Sequence, residues 1–268
     1  MKKSLLLFAV VALVAGLNSC APADSSDSLT ENGLSKEIID QIAALGFDTD
    51  GAVATEGGYL VEGDIILTDE DLHGHDIDVK QNLIVGNAEQ YRTTNLVNSP
   101  RTITVSASGR NISTRLLDGI QDAVDRYNAE NLGLTFNFIG SDGGGDINIR
   151  VVNTGQYIAS AGFPSGGNPY PEVKYAKNYT NYSLGFVTTV IAHEMGHCIG
   201  FRHTDYMNRA YSCGGSGGNE GDGGVGAIHI DGTPTGPDAG SWMLACLSST
   251  TNRPFNGNDV VALNFLYN

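Results

Sequence analysis

The eleven residues 193–203, HEMGHCIGFRH, constrain this 268-residue chain more than any other stretch. His193 and His197 are four apart; on an α-helix that is about 400° of rotation, so both imidazoles leave one face a turn apart. Two neutral ring nitrogens placed in this way suit one tetrahedral zinc ion at about 2.0–2.1 Å. Glu194, beside the first histidine, can reach a zinc-bound water and act as general base. The helix must then end, because His203 lies six residues beyond His197 and a continued helix would carry it off that face. Gly200 is the residue type that takes positive φ at a helix end, so the chain can turn there and return His203 as the third ligand. A bare HExxH arises by chance on many helices, but five positions specified together point to metal chemistry.

The rest of the chain sets where such a site would operate. With 41% hydrophobic residues, 35 glycines, 8 prolines and only 17% charge, it can bury one sizeable core with long ordered loops. A formal charge of −15 leaves no basic face for phosphates, so nucleic acid is excluded as a partner. Residues 1–20 carry two lysines, an apolar run and small residues ending in Cys20, the pattern of a secretory signal. The ending LNSC resembles a bacterial lipobox, with Asn18 a departure; an ordinary signal with a chance cysteine is the alternative. Residues 21–33 are polar and without period, and read as a flexible tether. The expectation is an exported protein at the bacterial envelope or cell surface, touching membrane only through a lipid on Cys20. Cys198, Cys213 and Cys246 then allow one disulfide; Cys198 falls in the predicted helix, which favours Cys213 with Cys246.

Beyond the tether, residues 34–47 have helical apolar spacing, and residues 57–76 read as a strand broken at Gly63 and Asp64 and followed by an acidic loop. A regular pattern opens at Arg101. RTITVSA alternates as a strand, residues 112–130 form an amphipathic helix starting at Ser113 or Thr114, and LTFNFIG and DINIRVV are two more strands. YPEVKYAK is a fourth, whose proline, with Pro169 just before it, suits a sheet edge. An apolar helix over 184–199 carries the first two histidines, and residues 256–267 form a closing helix with Val260, Val261, Leu263, Phe265 and Leu266 available to dock. The organisation expected is 1–20 signal, 21–33 tether, 34–100 pro-segment and 101–268 catalytic domain.

On the string His193, Glu194, His197, Gly200 and His203, the chain resembles the metzincin zinc endopeptidases, which carry HExxHxxGxxH. It is most similar to the bacterial dual-action HEIGH metallopeptidases and more distantly to astacins. The resemblance implies an α+β fold, α/β-like in its N-terminal subdomain. That fold has a twisted mixed sheet, a backing helix, an active-site helix and a loop-rich C-terminal subdomain ending in a helix, with a small pro-segment before it. It also implies a methionine turn beneath the metal, matched by Met243 in SWMLAC. Astacins place a tyrosine two residues after that methionine; Ala245 stands there, so no tyrosine ligand is expected. Astacin pro-segments block the zinc with an aspartate in a Phe-X-Gly-Asp run, which residues 61–64, VEGD, resemble with valine for phenylalanine. Asp64 is therefore a candidate latent-form ligand, the alternative being a plain glycine-aspartate turn. Cleavage near Arg92 or Arg101 would release the enzyme.

Several features stay open between a functional and a bland reading. The glycine- and acid-rich run NEGDG, residues 219–223, offers oxygens suited to Ca2+ or is a surface loop. Asp205 is a structural anchor or an exposed carboxylate, and His229 has no partner at ligand spacing. The expected activity is endoproteolysis of protein or peptide substrates by a monomeric zinc enzyme made as a latent precursor, with the substrate extended along the strand near residues 171–177. The alternative is a zinc-binding surface lipoprotein or adhesin with little catalysis.

Overall fold

The computed structural model describes residues 33–73, 90–215, 219–220, 226–234 and 236–268. The signal, Cys20, the tether up to residue 32 and residues 221–223 of the acidic run lie outside them.

An N-terminal unit comes first. Helix α1 (Lys36–Ala44) is capped by the Ser35 side chain, which accepts from the Ile38 amide. Strands β1 (Val53–Thr55), β2 (Gly58–Val61) and β3 (Ile65–Leu67) form an antiparallel meander that turns at Glu62, Gly63 and Asp64. The acidic stretch after it is helix α2 (Asp69–His73) rather than a loop. Thr68 and Asp71 cap it reciprocally, the Thr68 hydroxyl accepting from the Asp71 amide and the Asp71 carboxylate from the Thr68 amide. Leu34, Ile42, Leu45, Phe47, Ile65 and Leu67 bury together as a small core of this unit.

The larger part is built on a five-stranded sheet. Strand β4 (Tyr91–Arg92) precedes β5 (Arg101–Gly109), and helix α3 (Thr114–Ala129), capped by Ser113, leads to β6 (Leu134–Phe138). Strands β7 (Ile147–Val152), β8 (Ala159–Ser160) and β9 (Glu172–Ala176) then complete the order β6-β5-β7-β9-β8. All neighbours are parallel except β8, which runs antiparallel to β9. Helix α4 (Leu184–Ile199) follows, then the short α5 (Ala210–Cys213), β10 (Ile228–His229) paired with β4, and α6 (Gly257–Tyr267). The apolar faces of β5, β7 and β9 bury against α3 and α4 in one core that includes Ile103, Val105, Ile149, Ile120 and Ile191. α4 is buried all round from Phe186 onward, as a helix apolar on every side must be.

α3 and α4 approach closely at Gly119, where an added Cβ would lie 2.5 Å from Cγ1 of Val187. Val187 is fully buried and β-branched, so it has little freedom to yield. Gly119→Ala is expected to cost about 1–3 kcal/mol through overpacking, lowering the thermal midpoint by several degrees. An unchanged or raised midpoint in calorimetry would contradict the packing.

Two further expectations change. β9 is not an edge strand: Pro169 and Pro171 precede its first residue, so they remove no amide from it, and β8 covers its outer side. α6 buries Asp259, Ala262, Leu263 and Tyr267, while Val261 and Phe265 are 41% and 52% exposed. Residues 90–93, on the N-terminal side of the expected division at residue 100, are woven into the larger part. Gln90 is fully buried and donates to Asp259 Oδ1 at 2.6 Å and Ser241 Oγ at 3.0 Å; the Thr93 amide donates to the Gly200 carbonyl at 2.8 Å. Cleavage at Arg92 would cut through this seam, and cleavage at Arg101 would separate it from β5.

The N-terminal unit docks on the outer end of the sheet. Ile66 donates its amide to the Ala161 carbonyl at 2.8 Å and Ala161 returns its amide to the Asp64 carbonyl at 2.9 Å, so β3 runs parallel to the chain there. At the far end of the meander Glu56 accepts from Arg150 at 2.8 Å, and its carbonyl accepts from Lys174.

Candidate metal centre

His193 and His197 sit one turn apart on α4, as their spacing requires. The helix stops at Gly200, whose φ of 111° lies in the left-handed region; a Cβ there would meet Leu96 Cδ2 at 2.7 Å. Phe201 donates its amide back to the Gly196 carbonyl at 2.9 Å, and the reversed chain returns His203 to the histidine pair.

Each imidazole is oriented through Nδ1. His193 Nδ1 faces the Trp242 carbonyl, His197 Nδ1 the Phe201 carbonyl and His203 Nδ1 the Glu220 carboxylate, each at 2.8 Å. All three partners are acceptors, so the ring hydrogens belong on Nδ1 and three Nε2 lone pairs converge. Nε2 of His197 is 3.1 Å from that of His193 and 3.2 Å from that of His203. Asp64 Oδ2 completes the group, 3.3 Å from His203 Nε2 and 3.8 Å from His193 Nε2. Without a metal, burial works against charge on His203 but the Glu220 and Asp64 carboxylates outweigh it, so a proton on Nε2 faces Asp64; a metal ion would take that proton's place among the four atoms. A tetrahedral ion with ligands at about 2.0–2.2 Å sets ligand separations of roughly 3.3–3.6 Å, which fall within the observed span of 3.1–3.8 Å. The residues fit a metal ion.

Burial, and next the charge of His203, hold His193 down to about 4, so it is an unprotonated donor at neutral pH. Glu194 is buried beside this group, and burial followed by the Asp64 charge pushes its carboxyl well above the ordinary range. It borders a cavity of about 230 Å3 shared with His193, Tyr157, Val190 and Leu247. Asp64 remains ionised: burial works against its charge, but His203 outweighs it and lowers the carboxyl.

Beneath the centre, a Cβ on Gly196 would come within 2.6 Å of Met243 Sδ, so the glycine makes room for the sulfur. The Met243 carbonyl accepts from the Thr204 amide at 2.9 Å and so braces the segment that carries His203. Asp205 is buried: its carboxylate accepts from Ala245 N at 3.0 Å and Ser212 Oγ at 2.5 Å, tying the methionine turn to α5. Cys213 and Cys246 form a disulfide across this same join. Cys198 is a free thiol buried in the core, and His229 bonds Thr233 at 3.0 Å.

Sequence reasoning missed Glu220. It sits in the acidic run considered for calcium, but its carboxylate points inward, to His203 and two arginines, Arg202 at 3.6 Å and Arg209 at 3.2 Å. No spacing rule links it to a histidine 17 residues earlier. Glu220→Ala is expected to weaken binding of added Zn2+ about 10- to 100-fold in chelator competition, the usual range for a group orienting a ligand. Unchanged affinity would remove Glu220 from that role.

Three converging histidines on a helix and its glycine turn, with a buried glutamate beside the first, define a metallopeptidase site. Over residues 59–267 the chain matches the model of the dual-action HEIGH metallo-peptidases, and it belongs to that family. HEMGH is its version of the eponymous motif, with a buried methionine, Met195, at the isoleucine position. Comparison with curated proteins finds no match. Among solved structures the chain is similar to two of myroilysin. The first is 17% identical with a TM-score of 0.33, covering 42% of this chain and 54% of that one. The second is 17% identical with a TM-score of 0.32, covering 41% and 47%. It is also similar to metalloproteinase-II from Bacteroides fragilis, at 13% identity and TM-score 0.29, covering 52% and 55%. The chain thus spans about half the length of the solved chains it matches.

Proposed function

We propose that this chain is an exported zinc endopeptidase made as a latent precursor. The observation that carries the reading is the meeting of His193, His197 and His203 Nε2 with Asp64 Oδ2 next to a buried, cavity-lining Glu194. The three histidines would hold zinc in the active form, with Asp64 as fourth ligand in the latent one. Bound zinc supplies Lewis-acid polarisation of the scissile carbonyl and acidifies water. Glu194 takes the proton of the attacking water and passes it to the leaving amine. The Nδ1 partners Trp242, Phe201 and Glu220 hold the imidazoles in one tautomer and orientation throughout.

Latency is supported by the way the N-terminal unit lies on the site. β3 pairs with Ala161 as an added strand would, and the turn before it carries Asp64 inward. Gly63, with a φ of 90°, lets that turn approach. Activation then requires removal of residues before Gln90, which leaves the seam at residues 90–93 intact. Export and the lipid on Cys20 rest on residues 1–20.

The test is metal analysis of the full chain, followed by a peptide-library digest before and after limited proteolysis. Zinc at one per chain with cleavage that rises on proteolysis is expected. Zinc bound with no cleavage under either condition would favour a metal-binding surface protein instead.

A further inference from the structure

Resting on the reading of the N-terminal unit as the occupant of a peptidase cleft, we propose that Arg202 and Arg209 form a subsite for an acidic residue of the substrate. Glu62 fills it in the latent chain.

Glu62 is 4% exposed and has φ of 56°, a left-handed conformation that glutamate adopts only when its surroundings hold it. Arg209 Nη1 donates to its carbonyl oxygen, and Arg202 Nη2 lies 4.0 Å from its Oε2. Its other oxygen, Oε1, accepts from the Asp48 amide at 3.3 Å. One guanidinium thus takes the main chain and the other faces the side-chain carboxylate. The Arg202 guanidinium also lies over Phe47, Phe163 and Tyr206, 5.1, 5.9 and 5.6 Å from their ring centroids. Arg209 borders the 230 Å3 cavity that holds Glu194, so the pair stands next to the reacting position.

These partners divide cleanly. Glu62, Asp64 and Phe47 belong to the N-terminal unit, whereas Glu220, Phe163 and Tyr206 belong to the larger part. Departure of the unit takes Glu62 and Asp64 from around the guanidiniums and leaves Glu220 and Asp205 in place. The two guanidiniums then keep N–H donors turned toward the place Glu62 leaves, and the planar fork of arginine matches a carboxylate. A peptide bearing glutamate or aspartate near the scissile bond restores what Glu62 supplied.

The first test needs no turnover. Glu62→Gly in the full chain empties the subsite, and glycine takes a φ of 56° without strain, so folding is preserved. Its thermal midpoint is expected to rise saturably with acetate and not with acetamide, while wild type and Glu62→Gln, whose amide fills the space, do not respond. Equal effects of acetate and acetamide, or none from either, would overturn the subsite. The second test gives the proteolytically activated chain paired peptides differing only by glutamate or glutamine near the bond. The glutamate member is expected to be cleaved roughly tenfold faster or more, the worth of one charged hydrogen bond, and Arg202→Met is expected to lose the discrimination. Equal turnover of the pair would overturn the substrate role. Absence of turnover for both would instead sink the peptidase reading, and the acetate result would still decide the arginine subsite.

Discussion

Replacing Glu194 with alanine will leave zinc bound and remove cleavage. Metal retention follows because none of the four converging atoms belongs to Glu194. Loss of cleavage follows because, among the described residues, no other carboxylate of the larger part shares the cavity beside His193. A general acid-base group in such a position contributes about 10²- to 10⁴-fold, so turnover of the activated chain is expected to fall by at least that factor. Metal analysis and the library digest read the two halves of the result separately. Full activity in Glu194→Ala would end the mechanism; loss of zinc would show that the residue supports the fold of the site instead.

Asp64→Ala is expected to have the second largest effect, and its size is limited by other contacts. The carboxylate is the fourth converging group, so its removal frees one coordination position without any cut in the chain. The rest of the turn stays tied: the Asp64 carbonyl still accepts from Ala161, Glu62 still faces the arginines, and Glu56 is still clasped by Arg150 and Lys174. The cobalt-substituted spectrum is therefore expected to change in full, and turnover of a short peptide to rise about tenfold, a bias of about 1.4 kcal/mol. Turnover of a long substrate should rise less, because it must displace the whole strand. If neither the spectrum nor turnover moves, Asp64 is a turn residue and nothing more.

Much of the site was legible because its geometry is local. His193, Glu194 and His197 are placed by the helical period, and Gly200 by its left-handed φ, so eleven residues are enough to outline the centre. The 184–199 helix was also readable, since its apolar run and its glycine stop mark both ends. The parts that escaped depend on partners far along the chain. Glu220 reaches His203 across a glycine-rich stretch with no period, and Gln90 reaches Asp259 over 169 residues. The edge assigned to β9 went wrong because β8, only two residues long, is too short to leave a pattern. In α6, Phe265 is the larger hydrophobe, but the buried face is the one shared by Asp259, Leu263 and Tyr267. A single buried carboxylate accepting from Trp242 N and Gln90 outweighed the apolar count.

That last carboxylate bears on the order in which the protein matures. Trp242 presents its carbonyl to His193 from a turn whose amide is bonded to Asp259, 66 residues further along the chain than His193. His193 thus receives its final support only once the segment carrying Asp259 has been synthesised. Until then a growing chain holds HEMGH without the brace that aims it. Support from a later segment sets a timer on the centre that is separate from any covering segment.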